Sequence, residues 1–193
     1  MSEARRLGFL GPGPVEAHVV HALGFGATGE APATLVDLGS GGGVPGLVLL
    51  ALWSSSAGVL LDSSERRTAF LRSAVRALGW QDRVEVLCAR AEEAGRDPVR
   101  RGKAGLVVSR GFGPPAVAAE CAAPLLVVGG RLVVSEPPED APRWPAEPLA
   151  GLGLRAEGAV LAHGSRFQVL RQVAPCPDAY PRRVGLPAKR PLW

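Results

Sequence analysis

The chain has 193 residues, 47% of them hydrophobic and 21% charged, with 22 Lys and Arg against 18 Asp and Glu. That length and apolar content suit one domain with a sizeable core and exclude a disordered chain, and the net charge of +4 is only a weak pointer to a polyanionic partner. The longest apolar stretch, Val44–Trp53, holds Pro45 and Gly46 and is too short to span a bilayer, the N-terminus lacks a signal-type apolar region, and the three cysteines form no C-x-x-C pair; no membrane, disulfide framework or metal is expected, and a cytoplasmic setting fits.

Residues 1–30 read as a short, glycine-punctuated lead-in. In it His18 and His21 can share a helix face, but a metal would need a third ligand. Thr34–Leu38 reads as a buried strand and Val44–Trp53 as a helix. A second strand follows at Gly58–Asp62. From Ser64 to Leu78 the apolar residues Phe70, Leu71, Ala74, Val75 and Leu78 recur on one helical face, and Gly79 supplies the stop. Further strands are predicted at Val84–Cys88, Leu106–Ser109 and Arg131–Ser135, with an Ala-rich helix opened by Pro114 or Pro115 and ending near Pro124. Short apolar strands joined by helical crossovers imply a mostly parallel sheet covered on both faces. Residues 136–150 read as a surface loop. Leu154–Leu161 and Arg166–Val173 read as a hairpin on the sheet edge. The Pro-rich residues 174–193 leave no room for a regular element.

The strongest motif is Asp37-Leu38-Gly39-Ser40-Gly41-Gly42-Gly43-Val44-Pro45-Gly46. It lies between the first strand and first helix, where doubly wound folds bind ligands. Glycines there tolerate positive φ and let backbone N–H groups approach a ligand. Asp62 ends the next strand, where a carboxylate accepts hydrogen bonds from ribose hydroxyls. The loop also matches G-x-G-x-x-G. However, a buried Asp37 beside it would repel a pyrophosphate and attract the ammonium group of S-adenosyl-L-methionine. A dinucleotide site and a ligand-free turn are the two other readings.

Four blocks, Asp37–Leu49, Leu60–Leu71, Cys88–Glu93 and Tyr180–Leu192, resemble those of the RsmG (GidB) family of small-subunit ribosomal RNA guanine-N7 methyltransferases. The second reads like L-L-D-S-x-x-K-R-x-x-F-L, the third carries R-A-E-E, and the tail block is the most specific. The resemblance implies a class I (Rossmann-like) S-adenosyl-L-methionine-dependent methyltransferase. Its α/β fold has a mostly parallel seven-stranded sheet with helices on both faces and a C-terminal antiparallel hairpin. It implies cofactor contacts at Asp37, Gly39, Ser40, Gly41, Gly43, Val44, Asp62, Ala91 and Glu92. It also implies an Arg after the fourth strand, here Arg110, to hold the cofactor carboxylate or a substrate phosphate. The implied partner is small-subunit ribosomal RNA or the small ribosomal subunit.

Two stretches depart from the family pattern. The lead-in, short for the family, keeps His18 from R-H-x-x-D-S and replaces the Arg, Asp and Ser. Ser135-Glu136-Pro137 places an acid where L-K-G is usual. Glu136 reads either as a stabiliser of a cationic purine or as a solvated loop acid. These departures keep open a methyltransferase for a small molecule and a non-catalytic cofactor- or ribosome-binding homologue. Pro175-Cys176 resembles the nucleophile of cytosine-C5 methyltransferases but follows the last strand, and no N-P-P-[YF] follows the fourth. The division expected is a lead-in at 1–30, a methyltransferase domain at 31–175 and a tail at 176–193. Residues 179–193 carry Arg182, Arg183, Lys189, Arg190 and no acid, a charge equal to that of the whole chain. These four are the candidate RNA-phosphate contacts.

Overall fold

The computed structural model describes residues 1–139 and 142–193. The unbroken apolar runs form five strands that pair in parallel: β1 (Thr34–Leu38), β2 (Ala57–Asp62), β3 (Val84–Cys88), β4 (Ala104–Ser109) and β5 (Leu126–Glu136). Runs without polar alternation suit strands covered on both faces. β6 (Leu154–Ala162) and β7 (Ser165–Gln172) form the antiparallel hairpin, and β7 pairs with β5. The sheet order is β3-β2-β1-β4-β5-β7-β6.

Helices α1 (Ser2–Arg6), α2 (Val15–Gly26), α3 (Gly46–Leu52) and α4 (Glu65–Ala77) precede β3 in the chain. Of these, α2 to α4 cover one face, where Phe25, Leu50, Leu71 and Val75 pack on Leu35, Leu60 and Leu106. The other face takes α5 (Ala91–Arg96), α6 (Pro115–Ala122) and α7 (Ala146–Gly151), with Ala94, Ala118 and Leu149 against Val36, Leu61 and Leu132. In α4, Ser64 caps the first turn by accepting from the Arg67 N–H at 3.4 Å, and Gly79 turns the chain out at φ +67°. Leu78, expected on the buried face, is 48% exposed, because it is the capping residue where the helix leaves the sheet.

The lead-in is more regular than its composition suggests. Gly24 and Gly26 lower helix propensity in α2, yet a Cβ at Gly24 would sit 2.5 Å from the Phe167 ring. The close approach lets Phe25 and Phe167 meet at 4.7 Å between centroids, and tertiary packing overrides propensity. β5 is longer than Arg131–Ser135. It starts at Leu126 opposite Ala104, bulges at Gly129 and Gly130, and resumes at Arg131 opposite Leu106. The segment read as a loop contains α7; residues 140 and 141 of it lie outside the described residues. The tail forms one helical turn, α8 (Leu186–Lys189).

The tail is fastened by buried charge. Glu120 is fully buried in α6, and its carboxylate accepts from the Arg182 backbone N–H (2.9 Å), Nε (2.8 Å) and NH2 (2.6 Å). Arg101 donates to the carbonyls of Tyr180 (2.7 Å) and Cys176 (2.8 Å). Breaking a buried, hydrogen-bonded pair from one side destabilises by about 3 kcal/mol. Glu120→Ala is therefore expected to lower stability by about that amount in urea unfolding and to open the Arg182–Arg183 bonds to trypsin while the sheet stays folded.

Candidate active site

In the sheet order, β1 lies between β2 and β4, the point at which the crossovers reverse direction. Ligands bind at the carboxyl ends of strands around such a point. The glycine loop leaves β1 there. Gly39, Gly41 and Gly43 adopt φ of +78°, +52° and +85°, a region that side chains disfavour. Gly39 and Ser40 each donate their N–H to the Leu61 carbonyl at 2.9 Å, and the Ser40 hydroxyl donates to the Asp37 carbonyl. Gly43, with Val44 buried behind it, closes the turn onto the Ser40 carbonyl at 2.7 Å.

Asp37 organises the loop. Its side chain is 1% exposed, and Oδ2 accepts from the Gly46 N–H at 2.9 Å. A Cβ on Gly46 would stand 2.5 Å from that oxygen, so only glycine lets the first turn of α3 come this close. Oδ1 is buried with no hydrogen-bond partner among the described residues. An orphaned carboxylate oxygen is unfavourable unless a ligand supplies a donor, and an ammonium group is the matching one. Burial pushes the Asp37 carboxyl up to about 7, against the Gly46 donor and the Arg110 charge.

Asp62 is also buried. Oδ2 accepts from the Gly41 N–H and Oδ1 from the Ser64 N–H, both at 2.9 Å, with Arg67 at 3.6 Å. Two donors leave acceptor capacity on a carboxylate. Asp62 lines a cavity of about 240 Å³ with Gly39, Ala91, Glu92, Phe112 and Ala188. Glu92 also ties down the tail, since Oε1 accepts from the Gly185 N–H at 2.8 Å. Beside it is a second cavity of about 300 Å³ lined by Ser109, Phe112, Pro115, Glu136 and Arg143; Gly111 and Phe112 belong to both. A larger hollow, about 450 Å³, opens at Thr34, Ala57 and Arg83, at the amino ends of the strands and away from the glycine loop.

Arg110 follows β4 and lines neither cavity. Its NH2 donates to His18 Nδ1 at 2.8 Å, which leaves Nε2 of the neutral ring to donate to the Gly11 carbonyl at 3.1 Å. His18 and His21 thus have separate surroundings. His21 packs against Phe25 and Phe167, and burial, with the charge of Arg110, lowers it to about 4. Cys176 is half-buried beside Arg101, with burial raising its thiol to about 11, a poor nucleophile.

Of the tail residues, Arg182 is turned inward onto Glu120, whereas Arg183, Lys189 and Arg190 are exposed. Three features had not been singled out from sequence: Glu120, Phe112 and the His18–Arg110 contact. Glu120 did leave a signal, as an acid inside a helix that is otherwise Pro, Ala, Val and Cys.

The sheet, the glycine loop and the two carboxylates define a class I S-adenosyl-L-methionine-dependent methyltransferase. The fold is similar to that of an RNA methyltransferase from Salinibacter ruber in complex with S-adenosyl-L-homocysteine (TM-score 0.60, 20% identity, 86% of this chain and 97% of that one). It is equally similar to a SAM-dependent methyltransferase from Aquifex aeolicus (TM-score 0.60, 17% identity, 90% and 98%). The model of the GidB family, rRNA small subunit methyltransferase G, matches residues 15–137, and the chain belongs to that family. Its relatives include the ribosomal RNA small subunit methyltransferases G of Roseiflexus sp. (strain RS-1), 37% identical over 85% of this chain and 73% of that one, and of Moorella thermoacetica, 35% identical over 91% and 77%. Among the described residues no helix is long and apolar enough to cross a membrane.

A carboxyl raised from 3.8 to about 7 makes the cofactor-free fold lose stability as pH rises through that window. An ammonium ligand reverses the preference and drives the proton off. Affinity for S-adenosylhomocysteine is therefore expected to rise by about tenfold per pH unit below roughly pH 7 and to level off above it. Calorimetric titration across that range checks this, and Asp37→Asn is expected to lose both the affinity and the slope.

Proposed function

We propose that the protein methylates N7 of a guanine in small-subunit ribosomal RNA, in the cytoplasm. The orphaned Asp37 oxygen beside the glycine loop carries the cofactor half of this reading. Oδ1 would receive the cofactor ammonium, and Arg110, close enough to Asp37 for their charges to interact, would hold the cofactor carboxylate. His18 fixes the guanidinium for that role. Gly39, Ser40, Gly41, Gly43 and Val44 shape the loop, Asp62 accepts from the ribose hydroxyls, and Ala91 and Glu92 border the adenine. S-adenosylmethionine, when bound, supplies a methyl group on a sulfonium, open to in-line attack.

Guanine N7 fits the second cavity because it carries a free lone pair and no proton. Among the described residues, the ionisable side chains lining that cavity are Glu136 and Arg143, which are paired with each other. No general base is needed there, so catalysis rests on positioning and charge. The names of the relatives supply the RNA class. Residues 31–175 form the methyltransferase domain, 1–30 its lead-in and 176–193 the tail. Arg183, Lys189 and Arg190 meet RNA phosphate while Arg182 holds the tail in place.

Undermethylated small ribosomal subunits, incubated with the protein and S-adenosylmethionine and then digested, are expected to yield N7-methylguanosine. Measurable cofactor binding without that product refutes the reading. Replacing Arg183, Lys189 and Arg190 together by Ala is expected to weaken RNA binding and to reduce its log–log salt slope by about two to three, with S-adenosylhomocysteine affinity unchanged.

A further inference from the structure

Glu136 is not a solvated acid. It ends β5 with its side chain 7% exposed, Oε2 accepts from Arg143 NH1 at 2.9 Å, and Oε1 is buried without a hydrogen-bond partner among the described residues. Arg143 is itself held, its carbonyl accepting from Trp193 Nε1 at 3.0 Å. The carboxylate thus stands oriented in the wall of the 300 Å³ cavity, with one oxygen lacking a donor among the described residues. Such an oxygen is unfavourable on its own, and a ligand that donates to it removes the penalty.

We propose that Glu136 selects guanine by accepting hydrogen bonds from its Watson–Crick edge, N1–H and the N2 amine, while Phe112 offers a stacking face between the two cavities. The proposal rests on the guanine-N7 reading and names the residue that enforces it. A carboxylate only accepts. Guanine is the base that sets two donors side by side on that edge; adenine and cytosine present a ring nitrogen lone pair there, and uracil flanks its single donor with two carbonyls. N7 lies on the opposite edge, free to face the neighbouring cofactor cavity. Methylation leaves the purine cationic and its N1–H more acidic, so the contact strengthens as the reaction proceeds. Single-stranded bases splayed from RNA are read in this manner, by edge hydrogen bonds and aromatic stacking.

The test compares guanine with inosine, which lacks the N2 amine and keeps N7. Wild-type product is mapped by borohydride–aniline cleavage at N7-methylguanosine, and small subunits are reconstituted with inosine at that nucleotide. Wild-type kcat/KM is expected to fall by about ten- to a hundredfold on inosine, the discrimination of a good bidentate base contact. Glu136→Ala is expected to lose activity on guanine and to bring the guanine-to-inosine ratio near one, while S-adenosylhomocysteine affinity is unchanged. A wild-type ratio near one, or an undiminished ratio in the variant, overturns the role of Glu136 and leaves the N7 activity standing. Absence of N7-methylguanosine from wild type overturns both. Should Glu136→Ala fail to fold, Glu136→Gln, which keeps the shape and replaces one acceptor oxygen by a donor, is expected to lower the guanine-to-inosine ratio, and an undiminished ratio in it overturns the role of Glu136.

Discussion

A single buried carboxylate sets the geometry of this site. Asp37 uses one oxygen to draw the start of α3 against the end of β1 and leaves the other without a donor among the described residues. Glycine at 46 is the condition for that approach, and the left-handed glycines at 39, 41 and 43 are the condition for the turn between. Desolvation of the carboxylate is the penalty that an ammonium group would relieve in the proposed cofactor contact. Binding and strain are thus coupled at one residue, and the loop is preorganised by bonds that do not involve the ligand.

The tail is an internal strap whose positive charge is divided between a buried pair and an exposed set. Arg182 pairs with Glu120 inside the molecule, and the Gly185 N–H donates to Glu92, which brings Ala188 to the wall of the 240 Å³ cavity. Arg183, Lys189 and Arg190 stay outside. A docked tail suits the proposed phosphate contact, because side chains on a floating segment would lose more conformational entropy on meeting phosphate than side chains on a docked one.

The altered stretches of the chain have structural partners. In the lead-in, His18 grips Arg110 from α2, and the ring that follows one turn later, His21, belongs to an aromatic cluster with Phe25 and Phe167. At the end of β5 the unusual acid is buried and paired with Arg143. His18 is the residue the lead-in keeps, the replaced position at His21 packs in that aromatic cluster, and Glu136 is the departure that lines a cavity at the site.

Much of the architecture was legible without coordinates. Continuous apolar strands, periodic helices and the Asp37–Gly46 loop are local patterns, so the parallel sheet, its edge hairpin and the cofactor loop follow from the residues themselves. What escaped was masked locally: glycines hid α2 and the bulge in β5, and prolines hid α7 and α8. The charge pattern of the tail pointed to four equivalent cations, and only the tertiary structure separated one from three. Arg182 meets Glu120 across 62 residues, His18 meets Arg110 across 92 and Gly185 meets Glu92 across 93. Contacts at such separations leave no periodic trace along the chain. Which charges are buried together, and which remain for a ligand, is decided by the packing of the two sheet faces.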